Sequence, residues 1–408
     1  MTTQNKSKRY LTPHSTWGVI LIINEGEIML VYLDNSATTR QYDQVTESMT
    51  KVMKDYYGNP SSLHTLGYEA EKLVKKARKS IAQSLGASDD EIIFTSCGTE
   101  SDNTALYGIA HSRRRQGNKI ITSKVEHPAV LEACKVLEKE GFHVEYIGVD
   151  KKCRLDMDAL KRAIDDDTIL VSIMSVNNET GTIMPIEEIA GMKKNAILHT
   201  DAVQGYGKVD LKNCRADMIS VSAHKIHGPK GMGALYVKKG INLPPYMTGG
   251  GQERGYRSGT ENVPGIVGFG RAVELAFGDF KGRVNSMSAS RKYLLDGISS
   301  NIKDVIVNSP EDGAASVLNI SFLGTRGEVL LHTLEQDGIF VSTGSACSSN
   351  KKGKGQSHVL GAMGLKPKEI EGAIRFSFSE FNTIEEMDYV LDKVEKAVTR
   401  FRRLGSFR

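Results

Sequence analysis

Short apolar runs that break off into polar or glycine-rich turns recur along this chain, and between them lie stretches with an apolar residue every third or fourth position. The first pattern predicts buried strands. It covers Glu91 to Thr95, Lys119 to Ser123, Val144 to Ile147, Ile169 to Met174, Ala196 to His199 and Met218 to Val221. The second predicts amphipathic helices. From Thr65 to Leu85, the residues Leu66, Ala70, Leu73, Val74, Ala77 and Ile81 share a face opposite lysines and arginines, and Ala129 to Glu140 and Met157 to Ile164 read likewise. Strands this apolar, alternating with helices, predict an α/β domain with a mostly parallel sheet. Ligands of such sheets gather where strands end. His127, Asn178, Asp201, Gln204 and Lys225 each follow a predicted strand closely.

After Pro264 the texture changes. A helix through Ile266 to Phe277 leads into a long helical pattern around Arg291, and Val317 to Ser321 is the next clear strand. Thr383, with Glu386 three residues on, is a capping-box signature. The stripe Ile384, Met387, Leu391, Val394 and Val398 that follows should pack on the sheet of a smaller domain. Val31 to Leu33 is a brief strand near the other end. No repeat or low-complexity tract is present.

The 408 residues leave room for a large domain and a smaller one. A net charge of +4 and an ordinary charged fraction imply no nucleic-acid partner, and the basic end FRRLGSFR reads as a solvated helix terminus. Five cysteines, scattered and without CxxC spacing, argue against a disulfide scaffold or structural zinc and for reduced thiols in a cytosol. No metal site is expected. Residues 1–28 hold an apolar run, Trp17 to Ile23, that is far too short to span a membrane, and they are expected to be poorly ordered.

Candidate chemistry concentrates in ADMISVSAHKIHGPKGMGALY, residues 216–236. A lysine leaving the end of a buried strand, as Lys225 does, is partly desolvated, which favours a free amine and Schiff-base chemistry. Alone, it reads equally as an exposed loop lysine. Glu91 to Thr95 runs through Ser96-Cys97-Gly98-Thr99 into a helix expected to begin near Ser101. Such a strand–glycine–helix join is a ready anion site, or merely a capped helix start. Cys347 lies in Ser-Ala-Cys-Ser-Ser, before Asn350-Lys351-Lys352-Gly353-Lys354-Gly355. That composition predicts a mobile, exposed, electropositive loop, which favours thiolate.

SAHKIHGPKG resembles the lysine motif of the cysteine desulfurases, pyridoxal-phosphate enzymes of the class V aminotransferase group. DNSATT (34–39), GNPSSLHTLG (58–67), TSCGTES (95–101), the EH pair at 126–127, NNETG (177–181), DAVQ (201–204), GGGQERGYRSGTEN (249–262), STGSACSS (342–349) and RFSF (375–378) follow in the family's order. The resemblance implies the PLP-dependent transferase fold type I: a large domain with a mostly parallel, mixed seven-stranded sheet, and a smaller α+β domain. On that reading residues 1–28 are an extension, 29–45 belong to the small domain, 46–264 form the large domain and 265–408 the small one, with a cysteine loop at 342–357.

It further implies pyridoxal phosphate on Lys225, its phosphate held by Gly98, Thr99, Ser222 and His224, with Thr260 reaching it from a second subunit. Asp201 would pair with the ring nitrogen, Gln204 with the phenolic oxygen, and His127 would stack on the ring and move protons. Asn178 would lie near cofactor and substrate, and Arg375 would clamp the substrate carboxylate. Cys347 would take the sulfur of L-cysteine as a persulfide. The implied partners are a second copy of the chain and a sulfur acceptor, either an iron–sulfur scaffold or a tRNA thiolation protein, with no membrane. A selenocysteine or cysteine-sulfinate lyase and an aminotransferase stand as alternatives.

Overall fold

The computed structural model describes residues 11–13, 19–23, 26–343 and 356–405. The chain enters through β1 (Leu11–Pro13), β2 (Val19–Ile23) and β3 (Gly26–Tyr32), followed by α1 (Asp43–Asp55) and α2 (Thr65–Leu85). Strands and helices then alternate: β4 (Ile92–Thr95), α3 (Gly98–Arg113), β5 (Lys119–Ser123), α4 (Pro128–Lys139), β6 (His143–Ile147), α5 (Met157–Ala163), β7 (Thr168–Ser172), α6 (Ile186–Met192) and β8 (Ile197–Asp201). β9 (Met218–Ser222) and β10 (Gly233–Val237) complete a seven-stranded sheet of order β4-β10-β9-β8-β7-β5-β6. Only β10 runs against its neighbours; the rest are mutually parallel. Every residue of β5, β7, β8 and β9 is buried. That is why these strands read as unbroken apolar runs rather than as alternation.

α7 (Val263–Gly278) leads to α8 (Phe280–Asn301), and a second body follows. It comprises β11 (Val305–Val307), β12 (Val317–Phe322), α9 (Gly327–Gln336), β13 (Ile339–Phe340), α10 (His358–Ala362), α11 (Pro367–Glu371), β14 (Ala373–Ser377) and α12 (Ile384–Arg403). β11, β12 and β14 form an antiparallel sheet, while β13 pairs parallel with β3. Leu33 from the N-terminal segment, Leu294, Leu318, Ile320, Phe376, Val390 and Val394 share its core. The start of α12 is capped reciprocally: the Glu386 N–H donates to Thr383 Oγ1 and the Thr383 N–H to the Glu386 carboxylate, both at 3.2 Å.

Two expectations differ from the structure. The change of texture after Pro264 precedes α7, yet Ile266, Phe269, Ala272 and Val273 of that helix pack with α1 and α2 into the core of the large sheet. The core therefore changes at the α7–α8 junction, one helix later than residues 264/265, because α7 is apolar nearly all round and is buried like a central helix. β1 and β2 pair antiparallel and extend the ladder outward from β3, and the largely β-branched run Val19–Ile23 suits such a ladder. α3 begins at Gly98, a turn earlier than expected. Among the described residues no helix is long and apolar enough to cross a membrane.

Candidate active site

The C-terminal ends of β8 and β9 and the N-termini of α3 and α4 open on one cavity of about 290 Å³. Its wall includes Gly98, Thr99, His127, Asn178, Asp201, Gln204, Ser222, His224, Lys225 and Arg375. β9 ends at Ser222 and a tight turn, Ala223–Lys225, carries the lysine. The turn closes through the Gly228 N–H on the Ala223 carbonyl at 2.9 Å. A Cβ on Gly228 would lie 2.8 Å from that same oxygen, so the position demands glycine. The segment at 34–39 laces the turn from outside. Lys225 Nζ donates to the Ser36 and Ala37 carbonyls, the latter at 2.8 Å, and Thr39 donates through Oγ1 to the His224 carbonyl at 3.0 Å. His224 Nδ1 meets Thr38 Oγ1 at 3.1 Å, and burial, with Lys225 beside it, pushes the imidazole down to about 4.

Asp201 is the last residue of β8, and its Oδ1 accepts from the Val203 N–H at 2.9 Å. Burial pushes its carboxyl above the usual range, while His127 and Lys225 pull it back. His127 is the N-cap of α4, and its Nδ1 accepts from the Ala129 N–H at 3.1 Å. A neutral ring held this way carries its proton on Nε2. Burial lowers its affinity for a second proton. Arg375, on β14, donates through Nη1 to the Asn178 carbonyl at 3.1 Å and through Nη2 to Asp34 Oδ1 at 2.8 Å. Its Nε is buried without a hydrogen-bond partner among the described residues.

At the other end of the cavity α3 begins with Gly98 and Thr99, and its N-cap, Cys97, makes no side-chain cap hydrogen bond. A Cβ on Gly98 would lie 2.5 Å from Val203 Cγ2. The Ser222 hydroxyl, on the cavity wall, is buried without a partner. Of the expected site residues, Thr260 stands apart: it is exposed and lies off the cavity wall. Cys347, and most of the loop at 342–357, lie outside the described residues.

Two carboxylates were not singled out in the sequence. Asp34 pairs with Arg375. Asp102 lines the cavity, its buried Oδ1 3.6 Å from His199 Nε2 but without a hydrogen bond among the described residues, and burial followed by repulsion from Asp201 pushes its pKa well up. The signal for Asp102 was spacing: four residues after Gly98 on one helix is one turn along the same face. Glu126, next to His127, is also buried and pushed up to about 8 by burial; it accepts from Ser123 Oγ at 2.6 Å and from the Met174 N–H, which ties the β5–α4 turn to the end of β7.

These groups fit pyridoxal phosphate. An uncapped helix start and an orphaned hydroxyl suit a phosphate, a buried carboxylate suits a protonated ring nitrogen, and the Lys225 amine, in the turn after β9, lines the same cavity. The orphaned Nε of Arg375 suits a substrate carboxylate.

Comparison with known proteins agrees. A family model described as Aminotransferase class-V matches residues 31–390. A cysteine desulfurase IscS of Clostridium botulinum is 45% identical over 382 residues, covering 92% of this chain and 96% of that relative. A solved NifS-like protein superposes with a TM-score of 0.86 at 42% identity, covering 91% of this chain and all (100%) of that one. The structure described as SspA in complex with cysteine superposes with a TM-score of 0.76 at 35% identity, covering 86% of this chain and 100% of that one.

Proposed function

The chain belongs to the class-V aminotransferase family, and we propose the residue roles below for the reaction it performs there. It is a pyridoxal-phosphate-dependent cysteine desulfurase: L-cysteine yields L-alanine, and the sulfur remains on the protein as a persulfide. What supports the assignments is the meeting of Lys225, Asp201, His127 and the unpartnered Arg375 Nε around one cavity.

Bound pyridoxal phosphate supplies a ring that accepts electron density from the substrate's α-carbon. Gly98 and Thr99 would hold its phosphate with the first N–H groups of α3, assisted by Ser222 and His224. Asp201 would hold the proton on the ring nitrogen. Gln204 would donate to the phenolic oxygen and His127 would stack on the ring. Arg375 would fix the substrate carboxylate through Nε, with Asn178 beside it. Lys225 would carry the cofactor and move the α-proton at Nζ. The Cys347 thiolate forms a sulfur–sulfur bond with the substrate as its carbon–sulfur bond breaks. The electron pair of that bond stays with the carbon fragment, which takes up a proton at Cβ, regains the α-proton from Lys225 at Cα and leaves as alanine. His127 Nε2 would hand on the proton taken up at Cβ.

We further propose that the working unit is a homodimer in which Thr260 reaches the partner's phosphate site. The protein acts in the cytoplasm, a reading its four described cysteines, all free thiols, support. The persulfide passes to an iron–sulfur scaffold or a tRNA thiolation protein, and pull-down with persulfidated enzyme distinguishes the two. The central test is borohydride reduction of the holoenzyme followed by peptide mapping. The reduced cofactor should map to Lys225, and Lys225→Ala should fold, dimerise and lack turnover. An adduct on another lysine overturns the assignment.

A further inference from the structure

Resting on the reading of Gln204 as donor to the phenolic oxygen, we propose that Lys208 is a positioning residue of the active site: its buried amine fixes the Gln204 carboxamide with the N–H end toward the cavity.

Lys208 lies in the turn after β8, buried to 6% exposure, and its Nζ donates to Gln204 Oε1 at 3.1 Å. At the other end of the same carboxamide, Nε2 donates to the Ser36 carbonyl at 2.8 Å. The Ser36 carbonyl only accepts, and Lys208, when protonated, only donates. A flipped amide would therefore set N–H against N–H on one side and oxygen against oxygen on the other. Both contacts would be lost, so the chemistry of the neighbours determines the orientation. One Nε2 hydrogen is taken by Ser36, which leaves the second for the cavity that Gln204 lines.

The surroundings say that this lysine is not there for stability. The groups that act on its charge are Lys225, Arg283 and Arg375, all repulsive, and Glu380, which is already bonded to Arg283 at 2.8 Å and close to His227 at 3.4 Å. Burial first, then Lys225 and Arg283, push the amine down to about 7. A methionine of similar length would fill the same space without burying a charge. What the active site gains from the lysine is the fixed amide.

Lys208→Met in the holoenzyme tests this, with Gln204→Leu as its companion. Loss of the fixed donor favours the protonated form of the bound cofactor. The pH at which its visible absorption changes should therefore rise by about half a unit or more. Cofactor dissociation, followed by fluorescence, should weaken about fivefold, the loss of one hydrogen bond. Because the folded-state amine titrates low, the charged lysine weighs against folding below about pH 7, and less as pH approaches its unfolded value of about 10.4. Lys208→Met should thus raise the Tm at about pH 6 and do so less at about pH 9.5. A Lys208→Met protein that is destabilised or fails to fold assigns the residue to the fold and overturns the proposal. So does an absorption midpoint that moves in Gln204→Leu but not in Lys208→Met. A midpoint that Gln204→Leu leaves in place removes the reading of Gln204 itself, and this proposal with it.

Discussion

Cys97 lines the cavity at the N-cap of α3, partly exposed, and is the rival to Cys347 for the sulfur chemistry. The other described cysteines are buried, and burial pushes Cys134 and Cys153 up to about 12, far from thiolate. The one side-chain hydrogen bond found at Cys97 is a long one from Ser96 Oγ to its Sγ, at 3.6 Å, while its backbone starts the helix. Cys97→Ala should therefore keep most of the activity. Cys347→Ser should bind cofactor and L-cysteine yet form neither alanine nor persulfide at an appreciable rate, because serine is a poor nucleophile toward sulfur. Alanine formed per bound cofactor, and mass spectrometry of the cysteine-treated protein for an added sulfur, decide between them. Extra sulfur mapped to Cys97 would falsify the assignment. Lys225, Asp201 and His127 were legible in the sequence because each follows a strand, and strand ends must converge in a parallel sheet. Asp34 was not: it lies 341 residues from Arg375, and the pairing of residues 33–36 with Ser377 brings them together. Lys208 was hidden for another reason, since nothing in GYGKVD distinguishes a buried lysine from an exposed one.

At the scale of elements, α10 is tied to the large domain by its own cap. Ser357 Oγ accepts from the Leu360 N–H at 3.0 Å and donates to the buried Glu179 carboxylate, whose backbone carbonyl accepts from Asn319 of β12 at 3.2 Å. Burial pushes Glu179 up to about 7, against the pull of Ser357 and Arg375. Its folded-state value is raised, so the folded protein holds a proton between about 4.3 and 7 that the unfolded chain has lost. That contribution is complete below the lower value and is lost as pH rises through the upper one. Glu179→Gln keeps an acceptor for Ser357 and removes the titration. Its Tm should match the parent near about pH 5 and exceed it near about pH 8, as scanned by calorimetry. An equal offset at both pH values would show that Glu179 does not titrate in this range. The same scale shows what the hydrophobic pattern could carry. The fully buried strands and the face of α2 were plain, since burial on both sides or on one stripe leaves its period in the sequence. The affiliation of α7 was not, because an apolar helix can be buried against either neighbour and its period does not say which.

In the single chain Thr260 is exposed and off the cavity wall, although the loop that carries it is held firmly: Arg257 pairs with Glu100 at 2.9 Å and Glu253 with Arg78 at 2.7 Å. A rigid loop that presents a hydroxyl away from its own site suits delivery to another. Tyr57, Leu63, Leu66 and Tyr68, all exposed around the start of α2, give the molecule apolar surface for a partner. If Thr260 serves the partner's phosphate, Thr260→Asp sets a carboxylate against that phosphate and should abolish activity without disturbing the fold, since the side chain is exposed. Lys225→Ala is inactive for an unrelated reason. Let the two chains exchange. In each mixed dimer, one site joins the intact lysine of the Thr260→Asp chain to the intact threonine of the Lys225→Ala chain, and the other site carries both defects. Equal mixing makes half of the dimers mixed, so roughly one quarter of all sites should recover. Alanine production by the exchanged mixture, with exchange verified by a tag on one chain, measures this directly. Should Thr260 act within its own subunit instead, every site in every mixed dimer is defective, and the mixture stays as inactive as its parts.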